Sequence, residues 1–152
     1  MRRILASFCV ALLLGGCALT APDSAYTVKE VLADVSAEHS KLDGRSVAIR
    51  GWLGQCGGNS CAIFSTLDDA EKVASYHELP VDEWMPAMDR GLSVGGNDDF
   101  DQLALFMQFD QVVIYGEVNA TWKKPPDESG NSFGCLDRCD DIKPTSIEKI
   151  LF

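Results

Sequence analysis

Two segments of the chain carry the same strand pattern, with apolar residues at alternate positions and a glycine inside the run. The first spans residues 46–53 and the second begins at residue 111. The matching positions are Val47, Ile49, Gly51 and Leu53 in the first, and Val112, Ile114, Gly116 and Val118 in the second. Alternation of this kind buries one face of a strand, and an internal glycine often marks a bulge or bend. The sequence therefore predicts two long, bent strands.

Shorter elements are predicted around these strands. Thr27 and Glu30 have the spacing of a capping box, and apolar residues follow with helical spacing, which predicts a helix over residues 27–38. Prolines and glycines between residues 79 and 97 are expected to interrupt any long element. The other predicted elements are strands at 61–66, 92–94, 111–122 and 146–152, and helical segments at 68–76 and 98–109.

This order of elements is that of a five-stranded Greek-key barrel. Over residues 40–152 the chain resembles the oligonucleotide/oligosaccharide-binding (OB) fold. Residues 43–53 also resemble the strand DG-[KR]-x-V-x-[IV]-x-G-x-L of uncharacterised bacterial envelope lipoproteins, which bring no assigned activity with them. The predicted fold class is mainly β with short helices, in a small OB-like barrel.

The N-terminus resembles a bacterial lipoprotein signal. Arg2 and Arg3 precede an apolar run over residues 4–14, and residues 14–17 read Leu-Gly-Gly-Cys, which fits the lipobox. The run suits a cleaved signal, because a membrane span needs about 20 apolar residues. The resemblance implies cleavage before Cys17 and acylation of that residue with diacylglycerol and a palmitate-type chain. Ala18 then implies delivery to the outer membrane, facing the periplasm.

Three segments follow from this interpretation. A signal peptide is expected at 1–16, a lipidated tether at 17–26 and a single OB-like domain at 27–152. An ordinary signal cut near Ala18 or Ala21, or an uncleaved anchor, is the alternative.

Four cysteines remain in the predicted mature domain, and in an oxidising periplasm they are expected to form disulfides. We favour Cys56 with Cys61 and Cys135 with Cys139, since residues 56–61 read as two strand ends joined by a glycine-rich hairpin loop. Opposed hairpin residues lie within disulfide reach. A crossed pairing, or a zinc site built from all four cysteines, is the alternative.

The solvent side of the two long strands is the candidate ligand face. Its predicted members are Arg50, Trp52, Tyr115 and Glu117. Aromatic side chains beside polar groups on an exposed sheet face stack sugars or bases. Coverage by the N-terminal helix or by the 123–132 loop is the alternative.

A second candidate is the short loop between Cys135 and Cys139. It carries Asp137 and Arg138, which form a possible recognition loop. An Asp–Arg pair that only holds the turn explains the same residues.

The charge of the chain and its lack of known catalytic motifs argue against several classes of function. With 13 Lys and Arg against 23 Asp and Glu, the net charge of −10 argues against nucleic-acid partners. No hydrolase, metalloprotease, P-loop or dinucleotide motif occurs, and His39 and His77 fit helix-end or surface positions. Asn97, Asp99 and Asp101 have the spacing of the first, third and fifth ligands of a calcium-binding loop. Such a loop needs glycine at position 6 and glutamate at position 12, where this chain has Gln102 and Gln108. These residues therefore favour the acidic first turn of a helix.

We therefore predict a lipid-anchored envelope binding or assembly module without enzymatic activity, cofactor or metal. Its expected contacts are membrane lipid through acylated Cys17 and an envelope protein or glycan. A metal-dependent protein or enzyme with a four-cysteine zinc site, or an oligonucleotide- or oligosaccharide-binding domain, is the alternative.

Overall fold

The computed structural model describes residues 24–57, 60–96, 98–120 and 140–151. These residues form a mixed α/β domain with a six-stranded, mostly antiparallel sheet and four helices. The strands are β1 (Tyr26–Thr27), β2 (Ser46–Leu53), β3 (Ala62–Phe64), β4 (Gly91–Ser93), β5 (Gln111–Val118) and β6 (Ile142–Lys149). The helices are α1 (Val28–Val35), α2 (Leu67–Ala74), α3 (Val81–Met88) and α4 (Asp98–Phe106).

The two long strands lie at the centre of the sheet, where β2 pairs antiparallel with β5. The spatial order is β4-β3-β2-β5-β6, and β1 lies parallel beside β2. One parallel bridge joins Val94, after β4, to Ile142 in β6. No continuous ladder joins these two strands in the described residues, so the sheet is not closed. The prediction of a sheet with short helices is confirmed, but the domain is mixed α/β rather than mainly β, and its sheet has six strands rather than five.

The glycine in each long strand lies where another backbone approaches closely. At Gly51 a Cβ atom would lie 2.6 Å from the carbonyl oxygen of Phe64 and 2.7 Å from Cγ2 of Val28. At Gly116 it would lie 2.5 Å from the carbonyl oxygen of Lys143, and the register of β5 with β6 shifts directly before this glycine. The predicted bulge is therefore present at Gly116, whereas Gly51 makes room for α1 and β3.

The main core lies on the inner face of the sheet. Ile49 and Ile114 are paired across β2 and β5 and are fully buried. Burying each large apolar side chain contributes about 1.5–3 kcal/mol, so this face is the main source of stability. The helices add Val28, Val31 and Val35 from α1 and Phe100 and Ala104 from α4.

Helix α1 begins at the predicted capping box. The Thr27 hydroxyl accepts from the Glu30 N–H at 3.3 Å, and the Thr27 N–H donates to Oε2 of Glu30 at 2.7 Å. The helix ends at Val35, before the predicted residue 38. There the Asp34 carboxylate accepts hydrogen bonds from residues 40–42, which turns the chain toward β2.

Helices α2 and α3 form a hairpin, residues 67–90, that we call the α2–α3 hairpin. It packs beside β3, where Phe64, Ala70 and Ala87 are buried outside the main core. Helix α3 was not predicted, because Pro80 and Pro86 indicated a broken segment. Pro80 instead precedes the first helical residue, and Pro86 lies in the last turn of a short helix.

The last strand, β6, begins four residues earlier than predicted. The bulge opposite Gly116 changes which residues of β6 face the core, so Ile142 and Ile147 are both buried although their spacing is odd. The predicted strand at 146–152 therefore misses the first four residues of β6, and β6 itself ends at Lys149.

Candidate functional site

Side chains of three neighbouring strands point away from the core and form one surface, which we call the outer sheet face. The burial of alternate residues and the strand register define it. Its members are Ser46, Ala48, Arg50 and Trp52 of β2, Gln111, Val113, Tyr115 and Glu117 of β5, and Lys143, Ser146 and Glu148 of β6. All four residues of the predicted ligand face are therefore on the same side of the sheet.

The register sets how far apart these residues lie. Arg50 pairs with Val113 and Ala48 pairs with Tyr115, so Arg50 and Tyr115 are diagonal neighbours, about 7–8 Å apart. Trp52 lies opposite Gln111, six residues along β5 from Glu117, which corresponds to about 20 Å. The four predicted residues thus form an elongated surface and do not converge on one point.

Tyr115 lies at the centre of the outer sheet face. Its hydroxyl donates to Oε2 of Glu148 at 3.3 Å, and the Thr145 hydroxyl donates to the Tyr115 carbonyl oxygen at 3.1 Å. Burial raises the pKa of the Tyr115 phenol, and the negative charge of Glu148 raises it further. The residues paired with Tyr115 on the neighbouring strands, Ala48 on β2 and Ser146 on β6, have small side chains. The half-buried ring therefore has no bulky cross-strand partner.

Val113 is 2% exposed although it lies on the solvent side of the sheet. Its cross-strand partners are Arg50 on β2 and Glu148 on β6. Long charged side chains cover apolar surface with their methylene stems, and Tyr115 lies one row away. Val113 is therefore covered and offers almost no apolar surface to a ligand. The accessible groups of the outer sheet face are the Tyr115 ring and the charged side chains around it.

Charges of both signs lie around Tyr115. Lys143 Nζ lies 3.8 Å from Oε1 of Glu117. Hydrogen bonds from the backbone and hydroxyl of Thr27 lower the pKa of Glu30, and the positive charge of Arg50 lowers it further. The outer sheet face thus offers hydrogen-bond donors and acceptors beside an aromatic ring, without a strong net charge.

Helix α1 does not cover the outer sheet face. Helix α1 lies on the opposite side, since its Val28 packs against the inner-face residue Gly51. The N-terminal helix therefore lies away from the predicted ligand face, and the 123–132 loop, the other expected cover, lies outside the described residues. Helix α2 contacts β2 and β3 near Trp52, whose partner Phe64 is buried. Trp52 belongs to this covered end, whereas Arg50 and Glu117 are exposed and Tyr115 is half-buried.

Sequence reasoning missed the contribution of β6 to this face. Lys143 and Glu148 contact Glu117 and Tyr115, but the predicted strand began at residue 146 and had no register. The opposite charges of Glu117 and Lys143 are the sequence signal that favours their pairing across two strands.

The Cys56 and Cys61 sulfur atoms lie at disulfide distance, with Cα atoms 4.2 Å apart, which confirms the first of the two favoured pairs. Both residues are buried, and Gln108 Nε2 donates to the Cys56 carbonyl oxygen at 3.0 Å. A cysteine in a disulfide provides no thiolate for a metal. This arrangement is therefore incompatible with a zinc site that uses all four cysteines.

The remaining candidates in the described part of the chain do not lie on the outer sheet face. His39 is exposed after α1, and the ring centroid of His77 lies 3.6 Å from that of Tyr76. Asp99 and Asp101 lie in α4, and no group of three metal-binding His, Cys, Asp or Glu side chains occurs in the described ranges. Five predicted site residues and Asn97 lie outside the described residues: Cys17, Cys135, Asp137, Arg138 and Cys139.

Comparison with known proteins does not assign the chain to a family. No protein-family model matches the chain, no curated protein matches it, and no solved structure matches it. None of the helices in the described part is long and apolar enough to cross a membrane.

Proposed function

We propose that this chain is a lipid-anchored binding module of the bacterial envelope, without enzymatic activity, and that it binds a glycan on the outer sheet face. The observation that carries the proposal is the placement of the half-buried Tyr115 ring on this face, with the exposed side chains of Arg50, Glu117 and Glu148 around it. A pyranose ring stacks its apolar face on an aromatic ring, while its hydroxyls need donors and acceptors at the edges.

The fold part of the proposal is an OB-like barrel. The spatial order β4-β3-β2-β5-β6, the position of α4 between β4 and β5, and the parallel bridge from Val94 to Ile142 all support it. In this arrangement β4 and β6 approach each other at one end, where the single bridge marks the place at which an OB-like barrel would close.

The address is proposed from the sequence. The lipobox-like residues 14–17 support acylation of Cys17, an outer-membrane location facing the periplasm and a short tether before the domain. Intact mass of protein extracted from membranes tests this part. A chain that begins at Cys17 and carries acyl groups supports it, and a chain cut at Ala18 or Ala21 without acyl groups overturns it.

Calorimetric titration tests the glycan part. The probes are muropeptides released from peptidoglycan and the neutral oligomer chitotetraose. We expect the full chain to bind at least one probe and Tyr115→Leu to bind it about tenfold more weakly, because stacking on an aromatic ring contributes roughly 1–3 kcal/mol.

Tyr76→Leu is the matched control, since Tyr76 is also partly exposed but lies at the end of α2. Its affinity should equal that of the wild type. No binding of either probe, or equal losses in the two variants, contradicts a glycan site at Tyr115.

A further inference from the structure

Helix α3 points apolar side chains into solvent. Val81, Met85 and Met88 are spaced by four and three residues, so they lie on one face of the helix. Their exposed fractions are 55%, 47% and 51%, and Tyr76, which precedes the helix, is 46% exposed. We call these four residues the α3 apolar face. Exposed apolar clusters of this kind mark interaction surfaces when polar residues surround them.

The orientation of this face is fixed at both ends of the α2–α3 hairpin. Near the start of α3, the Tyr76 and Trp84 rings meet edge to face with centroids 6.0 Å apart. After its end, the Arg90 guanidinium lies 2.5 Å from Oδ1 of the buried Asp69. Ala87 packs inward and is fully buried. Helix α3 is therefore held so that Met85 and its neighbours face outward before any partner arrives.

The surroundings of the α3 apolar face are strongly acidic. The hairpin, residues 67–90, contains seven Asp and Glu residues and only two basic residues, Lys72 and Arg90. Both basic residues are engaged inside the hairpin, Lys72 with Asp68 at 2.6 Å and Arg90 with Asp69. The remaining acidic residues are exposed: Glu71, Glu78, Asp82, Glu83 and Asp89.

We propose that the α3 apolar face docks a basic amphipathic helix of a partner protein. Methionine side chains adapt to varied apolar surfaces, and an amphipathic helix that lays its apolar face on such a surface would place lysines and arginines against the acidic rim. A second copy of this chain would bring the same acidic rim against itself. An anionic membrane surface would be repelled by these carboxylates.

The charge argument predicts a salt-dependent, sign-selective interaction. The test measures fluorescence anisotropy of labelled synthetic peptides with the purified full chain. One peptide is an amphipathic helix of Leu and Lys, and the other has Glu in place of every Lys. We expect micromolar binding of the Lys peptide, a several-fold loss of affinity at high salt and no binding of the Glu peptide.

The Met85→Gln/Met88→Gln variant assigns the binding to the α3 apolar face. Because these side chains are exposed, the variant should fold normally, and we expect it to bind the Lys peptide at least tenfold more weakly. The matched control is Leu103→Gln/Phe106→Gln on α4, where the apolar residues are also exposed, at 48% and 87%. This control should bind like the wild type.

Three outcomes would overturn the proposal. The first is equal binding of the Lys and Glu peptides, which indicates unselective adhesion. The second is an equal loss in the α3 and α4 variants, or no loss in the α3 variant. The third is a dimer in sedimentation that the Met85→Gln/Met88→Gln variant dissociates, which assigns the face to a second copy of the chain.

Discussion

The Tyr115 hydroxyl reaches across from β5 to Oε2 of Glu148 on β6, at 3.3 Å. This contact joins the aromatic centre of the outer sheet face to a strand whose residues the sequence did not assign to the site. It also fixes the direction of the ring, which extends along the sheet toward the row of Val113. A ring held in this way presents a stable surface for stacking.

The first prediction concerns the ionisation of Tyr115. Its pKa is raised by burial and by Glu148, so the contribution to folding stability is present below the ordinary tyrosine pKa of about 10 and is lost as the pH rises through the higher folded value. Glu148→Gln should lower the Tyr115 pKa toward the ordinary range. Ultraviolet titration of tyrosinate, with Tyr115→Phe to identify the signal, measures this. An unchanged titration in Glu148→Gln would contradict the contact.

The second prediction concerns the close approach at Gly51. Gly51→Ala should destabilise the domain by about 1–3 kcal/mol, because the new methyl group would meet the Phe64 carbonyl oxygen and Val28. Gly57→Ala is the control, since no atom lies within 4 Å of the position of its Cβ. Denaturant unfolding compares the two, and similar midpoints would show that Gly51 is not a packing site.

The third prediction concerns the disulfide of the β2–β3 hairpin. Cys56→Ser/Cys61→Ser should lower the free energy of unfolding by about 2 kcal/mol, since a disulfide that closes so short a loop restricts the unfolded chain only moderately. Both serines would also place hydroxyls in buried positions. Thermal melting under oxidising conditions measures the loss, and an unchanged melting temperature is the contrary result.

The fourth prediction concerns the pH dependence of the α2–α3 hairpin. The hydrogen bond from Arg90 holds the pKa of Asp69 below its usual range, and a bond from Thr66 lowers it further. The stabilisation is therefore present above the ordinary aspartate pKa of about 3.9 and is lost as the pH falls through the lower folded value. Asp69→Asn should lower the free energy of unfolding at neutral pH. The free energy of unfolding of this variant should also fall less than that of the wild type as the pH is lowered.

Asp68→Asn is the matched control for this ion pair. Asp68 is adjacent in sequence and also pairs with a basic residue, but 71% of its side chain is exposed. Exposed pairs contribute little, so the stability of this variant should follow the wild type from neutral to acidic pH. If Asp69→Asn and Asp68→Asn show the same dependence of stability on pH, the ion pair of Asp69 with Arg90 does not hold the end of α3 against α2.

Local patterns predicted part of the fold. The alternation around Gly51 gave the bounds of β2, and the capping box gave the start of α1. Helix α3 could not be predicted in this way, because it contains Pro86 and depends on tertiary contacts such as the pair of Arg90 with Asp69. Propensity alone does not contain such contacts.

The candidate site shows the same division. A period of two places Arg50 and Trp52 on one side of β2, and Tyr115 and Glu117 on one side of β5. Arg50 lies near Tyr115 because β2 pairs with β5 in one particular register. The sequence pattern does not specify this register. The bulge before Gly116 shifts β6 and thereby brings its polar side chains to this face.

The measurement that tests the central claim most directly is a heteronuclear NMR titration of the labelled full chain with muropeptides and chitotetraose. We predict that the backbone amides of Ala48, Arg50, Val113, Tyr115 and Glu117 shift together as ligand is added, while the amides of α3 and of the inner-face residues stay unchanged. Shifts confined to other surfaces, or no shifts with either ligand, would contradict a glycan site on the outer sheet face.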